Sequence, residues 1–278
     1  MNNILSLLLG AFTIMTPILF AAAGGLFPAL AGTLNITLEG LLLAGAFTAL
    51  AVFYQTSSIA LAVTAAAGAS LLLSAMHAFT IFKLRANVFI SGLAVNLFTG
   101  GLCVVLSGKL FNTRGVVSVH EVHMQPYWFT IMVLILLALS WLAIYKTPFG
   151  YRLRACDKSS EALLSLGINV QFYQIAALLI SGIFCGIGGS FLSLRLGAFI
   201  PGMSSGRGWI ALVIIFLGGR KPQGILAAAF VYGLVDAFSN RIQGIFNIPA
   251  DFVLAFPFVC ILLAMIAQKC IGTYKNSF

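Results

Sequence analysis

The sequence predicts an all-α fold, a polytopic membrane helix bundle of about nine spans, and three observations predict it. Of 278 residues, 61% are hydrophobic and only 8% are charged, where an ordinary soluble domain carries about 25% charged residues. The mean hydropathy is +1.08, and a soluble chain of this length cannot hide that much apolar surface. Lipid absorbs it. The apolar residues also fall into runs of the length a bilayer demands, about 20 residues per helix. Disordered chains, secreted disulfide-rich domains and water-soluble enzymes are excluded. The five cysteines are scattered with no C-x-x-C pair, which argues against a disulfide framework or a metal knuckle.

Runs bounded by charge or by Gly and Pro give spans at 4–30, 35–54, 57–82, 88–108, 127–145, 171–194, 207–219, 223–240 and 250–268. The first, Ile4 to Phe20 followed by Ala21-Ala22-Ala23-Gly24, has the outline of a signal peptide. Met1-Asn2-Asn3 supplies no positive n-region, so it reads as a retained span. Glu39 opens the second span, Lys83 and Arg85 follow the third, and Lys109 follows the fourth. The fifth ends before Lys146. The sixth carries Gly182-x-x-x-Gly186 with Gly188, Gly189 and Ser190, a small-residue face on which another helix can pack closely. The seventh is short for a span and is expected to be tilted, broken or re-entrant. The eighth contains Asp236, and Asp251 begins the ninth. The longest polar stretches are 109–126 and 146–170, so residues 1–278 form a single transmembrane domain.

Charge orients the bundle. Fifteen Lys and Arg stand against six Asp and Glu, for a net charge of +9. The basic residues sit singly or in pairs between apolar runs, which is a membrane pattern and not a nucleic-acid footprint; the expected surroundings are lipid, with no nucleic acid. With loop 146–170 inside, ten Lys and Arg fall on the inner side and five on the outer, the bias of the positive-inside rule. The N-terminus then lies outside and the C-terminus in the cytoplasm.

Catalytic and metal chemistry finds no support. His120-Glu121-Val122-His123 lacks the i, i+4 histidine spacing that puts two ligands on one helix face, so no metal is expected. His77 reads as a packed residue near the inner end of a span. The only Gly-Lys pair, Gly108-Lys109, is followed by Leu110 where a phosphate loop requires Ser or Thr. If ATP is used, another chain binds it, and this chain holds no cofactor. A buried acid costs about 2.5–3.5 kcal/mol on insertion scales, and only Asp236 falls well inside a span. A proton or ion relay would need more.

The stretch from Thr147 to Asn169 carries the most information. Pro148 and Gly150 break the preceding helix. Asp157 or Ser159 is placed to cap a new helix of about two turns, and Gly167 suits its C-terminal stop. A helix this short is marginal alone and gains from docking on a partner. Glu161-Ala162 with Gly167 resembles the EAA-type coupling motif of ABC importer permeases, with Leu163 where a second Ala is usual. The wider stretch resembles the branch that carries branched-chain amino acids, simple sugars and nucleosides. Asn35-Ile36-x-x-Glu39-Gly40 is similar to a signature of its nucleoside-type members, which work with a binding lipoprotein. Ala86-Asn87-Val88, Gly92-Leu93-Ala94-x-Asn96 and Gly206-x-Gly208-Trp209 with Leu217-Gly218-Gly219-Arg220-x-Pro222-x-Gly224 match the same family in order.

The resemblance implies a type II importer permease of a bacterial inner membrane, with 146–170 as its cytoplasmic coupling loop. It implies ATPase subunits that bind and hydrolyse ATP, a second permease (here favoured as a different chain, giving a heterodimer) and an extracytoplasmic substrate-binding lipoprotein. Carried over position by position, Gly150, Arg152, Arg154, Asp157, Glu161, Ala162 and Gly167 form the ATPase contact. Glu39 and Asn96 match positions near the transport path, where they contact solute or satisfy backbone freed at a helix break. Asp236 has no counterpart but joins them as a path candidate. The implied cargo is a nucleoside, then riboflavin or a simple sugar. The alternative is a self-sufficient secondary transporter or channel, against which the coupling stretch and the sparse intramembrane acids speak.

Overall fold

The computed structural model describes residues 2–119 and 126–245. The expected span 250–268, Asp251 and the His120-Glu121-Val122-His123 stretch lie outside these. In chain order the described helices are α1 (Asn2–Leu30), α2 (Leu38–Thr56), α3 (Ile59–Phe82), α4 (Val88–Phe111), α5 (Pro126–Lys146), α6 (Pro148–Lys158), α7 (Ser160–Ser165), α8 (Val170–Leu196), α9 (Arg207–Leu217) and α10 (Pro222–Ile245). Two short strands, β1 (Val117–Ser118) and β2 (Ala198–Phe199), pair antiparallel with Val117 opposite Phe199. They tie the loop after α4 to the end of α8.

Seven of the described helices are long and apolar enough to cross a membrane, and α9 is an apolar helix too short to do so. Helix starts follow local chemistry. The Asn87 side chain accepts from the Phe89 and Ile90 N–H groups, and that of Asn169 accepts from Phe172 N–H; each satisfies donors that a helix N-terminus leaves free. Where the sequence begins the second span at residue 35, α2 begins at Leu38. Asn35 and Thr37 form an Asx turn instead, with Thr37 N–H donating to Asn35 Oδ1.

Burial separates a central trio from a rim. The best apolar windows of α1, α2 and α8 are 61%, 67% and 61% buried, against 22% for α3 and 28% for α4 and α5. The rim helices present bulky aliphatic side chains outward, Leu72 and Leu97 being 72% and 78% exposed. Such faces suit lipid and would be costly in water. The centre rests on α8, which packs against α1, α2 and α3. Its expected small-residue face is that contact: Gly182 and Gly186 meet the α3 backbone, and Gly189 meets Leu42 and Ala46 of α2. A Cβ at Gly189 would collide with the Leu42 carbonyl oxygen. Between α3 and its neighbours, Ser70 donates to the Leu41 carbonyl (2.8 Å) and Ser74 to that of Leu178 (2.6 Å), so buried hydroxyls help hold the apolar helices together.

Candidate functional site

Two regions collect the polar side chains: a junction inside the bundle, and the α6–α7 segment at one end. The junction begins where α1 stops. Gln174, near the start of α8, donates to the Ala31 carbonyl (3.1 Å), and Asn35 donates to Ser181 Oγ (2.9 Å) farther along the same helix. Seven residues of α8 rise about 10 Å, so the chain climbs back into the bundle before α2 starts. Ser181 lies near the middle of α8, and α2 therefore begins at mid-bundle.

Glu39 sits in the first turn of α2 and reaches the start of α9. Gly206 N–H donates to its Oε1 (2.8 Å) and Gly208 N–H to its Oε2 (2.7 Å). Both carboxylate oxygens thus satisfy donors at a helix N-terminus, where negative charge is also favoured by the helix dipole. Gly208 permits the approach, since a Cβ there would overlap the Glu39 backbone. Asn96 of α4 braces the same turn from the other side, accepting from Gly40 N–H (2.9 Å) and donating to the Ile36 carbonyl (2.9 Å). Of the two roles open to Glu39 and Asn96, the structure displays the backbone-satisfying one. Because α9 starts here and has 11 residues, about 16 Å of helix, it covers roughly half of a bilayer's hydrocarbon thickness. The seventh apolar run is a half-length helix that begins inside the bundle.

Toward the ribbon end, beyond the start of α9, lies a cavity of about 570 Å³ lined by parts of α1, α8 and the loop 200–207. Arg195 and Arg207 supply its charge, with Thr13 and Ser205 as smaller polar groups. Arg207 donates to the Met203 (2.9 Å) and Ser204 (3.2 Å) carbonyls. Asp236 is half-buried on α10, with Asn240 as side-chain partner and Arg207 within electrostatic reach. The structure therefore brings Asp236 near Arg207, which lies between the two glycines that Glu39 holds.

The α6–α7 segment differs from the sequence expectation in several respects. Pro148 ends α5 but also starts α6, an 11-residue helix capped by Thr147, whose Oγ1 accepts from Gly150 N–H (3.2 Å). Gly150 is not a breaker. It is buried against the carbonyls of Ala143 and Ile144, where a Cβ does not fit. Leu153 and Cys156 face inward on the same helix. Arg152 donates to the Tyr173 hydroxyl (3.0 Å), and the Arg154 guanidinium lies over the rings of Tyr145 (4.7 Å) and Tyr151 (5.2 Å). Asp157 caps nothing; it pairs with Arg220 at 2.9 Å. The new helix the sequence expects is α7, only six residues long, and Ser159 precedes it without a side-chain cap. Gly167 ends it with φ +73°, a left-handed conformation that suits glycine.

The expected coupling residues thus divide. Gly150, Arg152, Arg154 and Asp157 engage their own chain, while Glu161, Ala162 and Gly167 are exposed, flanked by Leu164 and Leu166 at 62% and 74% exposure. Leu163 is the buried residue of α7 and seats it on the bundle. Sequence reasoning missed the role of Arg220, naming it only within the Leu217-Gly218-Gly219-Arg220-x-Pro222-x-Gly224 match. Its signal was the Gly218-Gly219 pair before it, which marks a helix stop.

Comparison with known proteins completes the description. The profile of the family described as branched-chain amino acid transport system / permease component matches residues 7–265. The nucleoside ABC transporter permease protein NupC of Lactococcus lactis is 29% identical, over 92% of this chain and 90% of the relative. The guanosine ABC transporter permease protein NupQ of Bacillus subtilis is also 29% identical, over 95% and 92%. The L-arabinose transport system permease protein AraH of Escherichia coli is 26% identical, over 80% and 71%. Among solved structures, PsaBC from Streptococcus pneumoniae in complex with Fab superposes with a TM-score of 0.57 at 13% identity, covering 92% of this chain and 89% of that one. That likeness concerns the fold alone.

Proposed function

Because the chain belongs to the branched-chain amino acid transport system permease family, we propose that it is the membrane-spanning permease subunit of an ATP-driven importer of nucleosides. It is a transport component and not an enzyme, with ATP bound and hydrolysed by separate ATPase subunits. A second permease, favoured as a different chain, and an extracytoplasmic substrate-binding lipoprotein complete the assembly in a bacterial inner membrane.

One observation carries this reading: α6 is rooted in the bundle, while α7, seated on it by Leu163, leaves Glu161 and Leu164 uncovered. A six-residue helix does not persist by its own propensity. Exposed Leu164 and Leu166 on a polar end of the molecule are surface that a partner groove would cover. Rigid-body motion of such a segment, driven by ATPase closure, would reorient the permeases and open the path to alternate sides. The nucleoside assignment draws on Asn35-Ile36-x-x-Glu39-Gly40 and on likeness to two permeases named for a nucleoside and for guanosine.

Co-purification with candidate ATPases tests the class. Wild-type chain should retain an ATPase and drive ATP-dependent uptake, and replacing Glu161 and Gly167 together should abolish both. Assembly and uptake that survive the replacement would refute the coupling role. Flux by the chain alone in liposomes, down an ion gradient, would favour a self-sufficient transporter instead. Uptake of labelled nucleosides set against riboflavin and simple sugars identifies the cargo.

A further inference from the structure

α9 is fastened by a charged side chain at each end. At its start, Glu39 of α2 accepts from the Gly206 and Gly208 N–H groups. At its finish, Arg220 donates to Asp157 of α6 (2.9 Å) and to the Ala29 carbonyl at the end of α1 (3.4 Å). The stop that aims Arg220 is closed by two backbone bonds. Gly219 N–H bonds to the Phe216 carbonyl and Arg220 N–H to that of Ile215, both at 2.9 Å. Gly219 and Arg220 both take left-handed φ values, +62° and +53°, and a bulky residue seldom adopts that conformation. Strain held in place at a polar contact points to a task beyond packing.

The ion pair itself does little for stability. Its side chains are 40% and 35% exposed, and pairs so open to solvent add little to folding. What it does is join elements remote in sequence. The chain of contacts runs from α6 through Asp157–Arg220 into α9, through Gly206 and Gly208 to Glu39, and through Gly40 to Asn96 of α4. An 11-residue helix is a stiff spacer, and this one reaches from the α6–α7 end to mid-bundle.

Building on the reading of α6–α7 as the ATPase-facing segment, we propose that α9 is the transmission element of this permease. The Asp157–Arg220 pair hands displacement of α6 to α9, and the Glu39 cap hands it on to the start of α2. Asp157, Arg220 and Glu39 are positioning residues: none touches ATP, and their measurable effect is on the yield of transport per ATP.

The test uses the full assembly in proteoliposomes, reading ATP hydrolysis and labelled-nucleoside uptake in one sample. Arg220→Gly removes the guanidinium while suiting the left-handed backbone. Asp157→Arg with Arg220→Asp exchanges the charges, and Asp also tolerates that backbone. Each single change, Arg220→Gly or Asp157→Arg, is expected to lower solute moved per ATP by about fivefold or more, and the exchange to restore at least half of it. Glu39→Gln combined with Arg220→Gly should be no worse than the poorer single variant, since both break one linkage. An unchanged ratio in the single variants overturns the proposal. So does a loss, whether of yield or of ATPase binding, that the exchange fails to repair. If the wild-type chain binds no ATPase at all, the permease reading falls; normal assembly with an unaltered ratio refutes the role of α9 only.

Discussion

Glu39 shows what a single side chain does in an apolar interior. Its two oxygens serve two backbone donors, so Glu39→Gln, which keeps only one acceptor oxygen, leaves one N–H of the α9 start unpaired. A buried unpaired donor costs about 1–3 kcal/mol. The expected outcome is a lower melting temperature of the detergent-solubilised protein, read by tryptophan fluorescence, with a larger loss for Glu39→Ala. Cys156 gives a prediction in pH. Burial raises its thiol above the ordinary range, against the opposing effect of a hydrogen bond from its own backbone N–H. A raised value means less thiolate at a given pH, so alkylation of Cys156 should lag a free thiol at pH 8 and accelerate toward higher pH; a rate profile matching free cysteine would contradict its burial. The sequence marked Glu39 as an acid at the mouth of an apolar run, but not its partners. Gly206 and Gly208 lie 167 and 169 residues away, and no local spacing reveals a contact of that range.

Among elements, α8 and α7 obey opposite rules. α8 is held by close backbone approach, and Gly189→Ala should cost about 1–3 kcal/mol through overpacking, seen as lost melting temperature and lower yield. A Cβ added at Gly68 on α3 would meet no atom within 4 Å, so Gly68→Ala should be neutral or gain up to about 1 kcal/mol in the same assay. α7, in the proposed coupling role, depends on the partner it docks against. Leu164→Asp should leave melting unchanged and abolish ATPase co-purification; retention of the ATPase would show that this leucine faces no partner. The small-residue face of α8 was legible because GxxxG spacing has one geometric meaning. The extent of α6 was not, because Pro148 and Gly150 read as breakers. Pro is also a good first residue of a helix, and this glycine is needed for proximity to Ala143 and Ile144.

At the scale of the molecule, apolar runs and their charged borders make seven long crossings readable to within a few residues, and lipid imposes that legibility. The short seventh run also matches α9 at its start; what no local pattern reveals is the tertiary partner of that start, the Glu39 carboxylate. Charge bias predicts which end faces the cytoplasm, and site-directed labelling checks it. Cys156 is a poor reporter because it is buried, whereas Lys158 and Val116 are exposed. In intact cells a membrane-impermeant thiol reagent should react with Val116→Cys above the background of the parent chain, and with Lys158→Cys only after permeabilisation. The reverse pattern would invert the molecule.

The occupied start of α9 has a bearing on leakage. A helix beginning in a low-dielectric interior is ordinarily an invitation to phosphate, and here a resident anion has already accepted it. A phosphate reaching this helix start would meet the Glu39 carboxylate in place of free N–H donors.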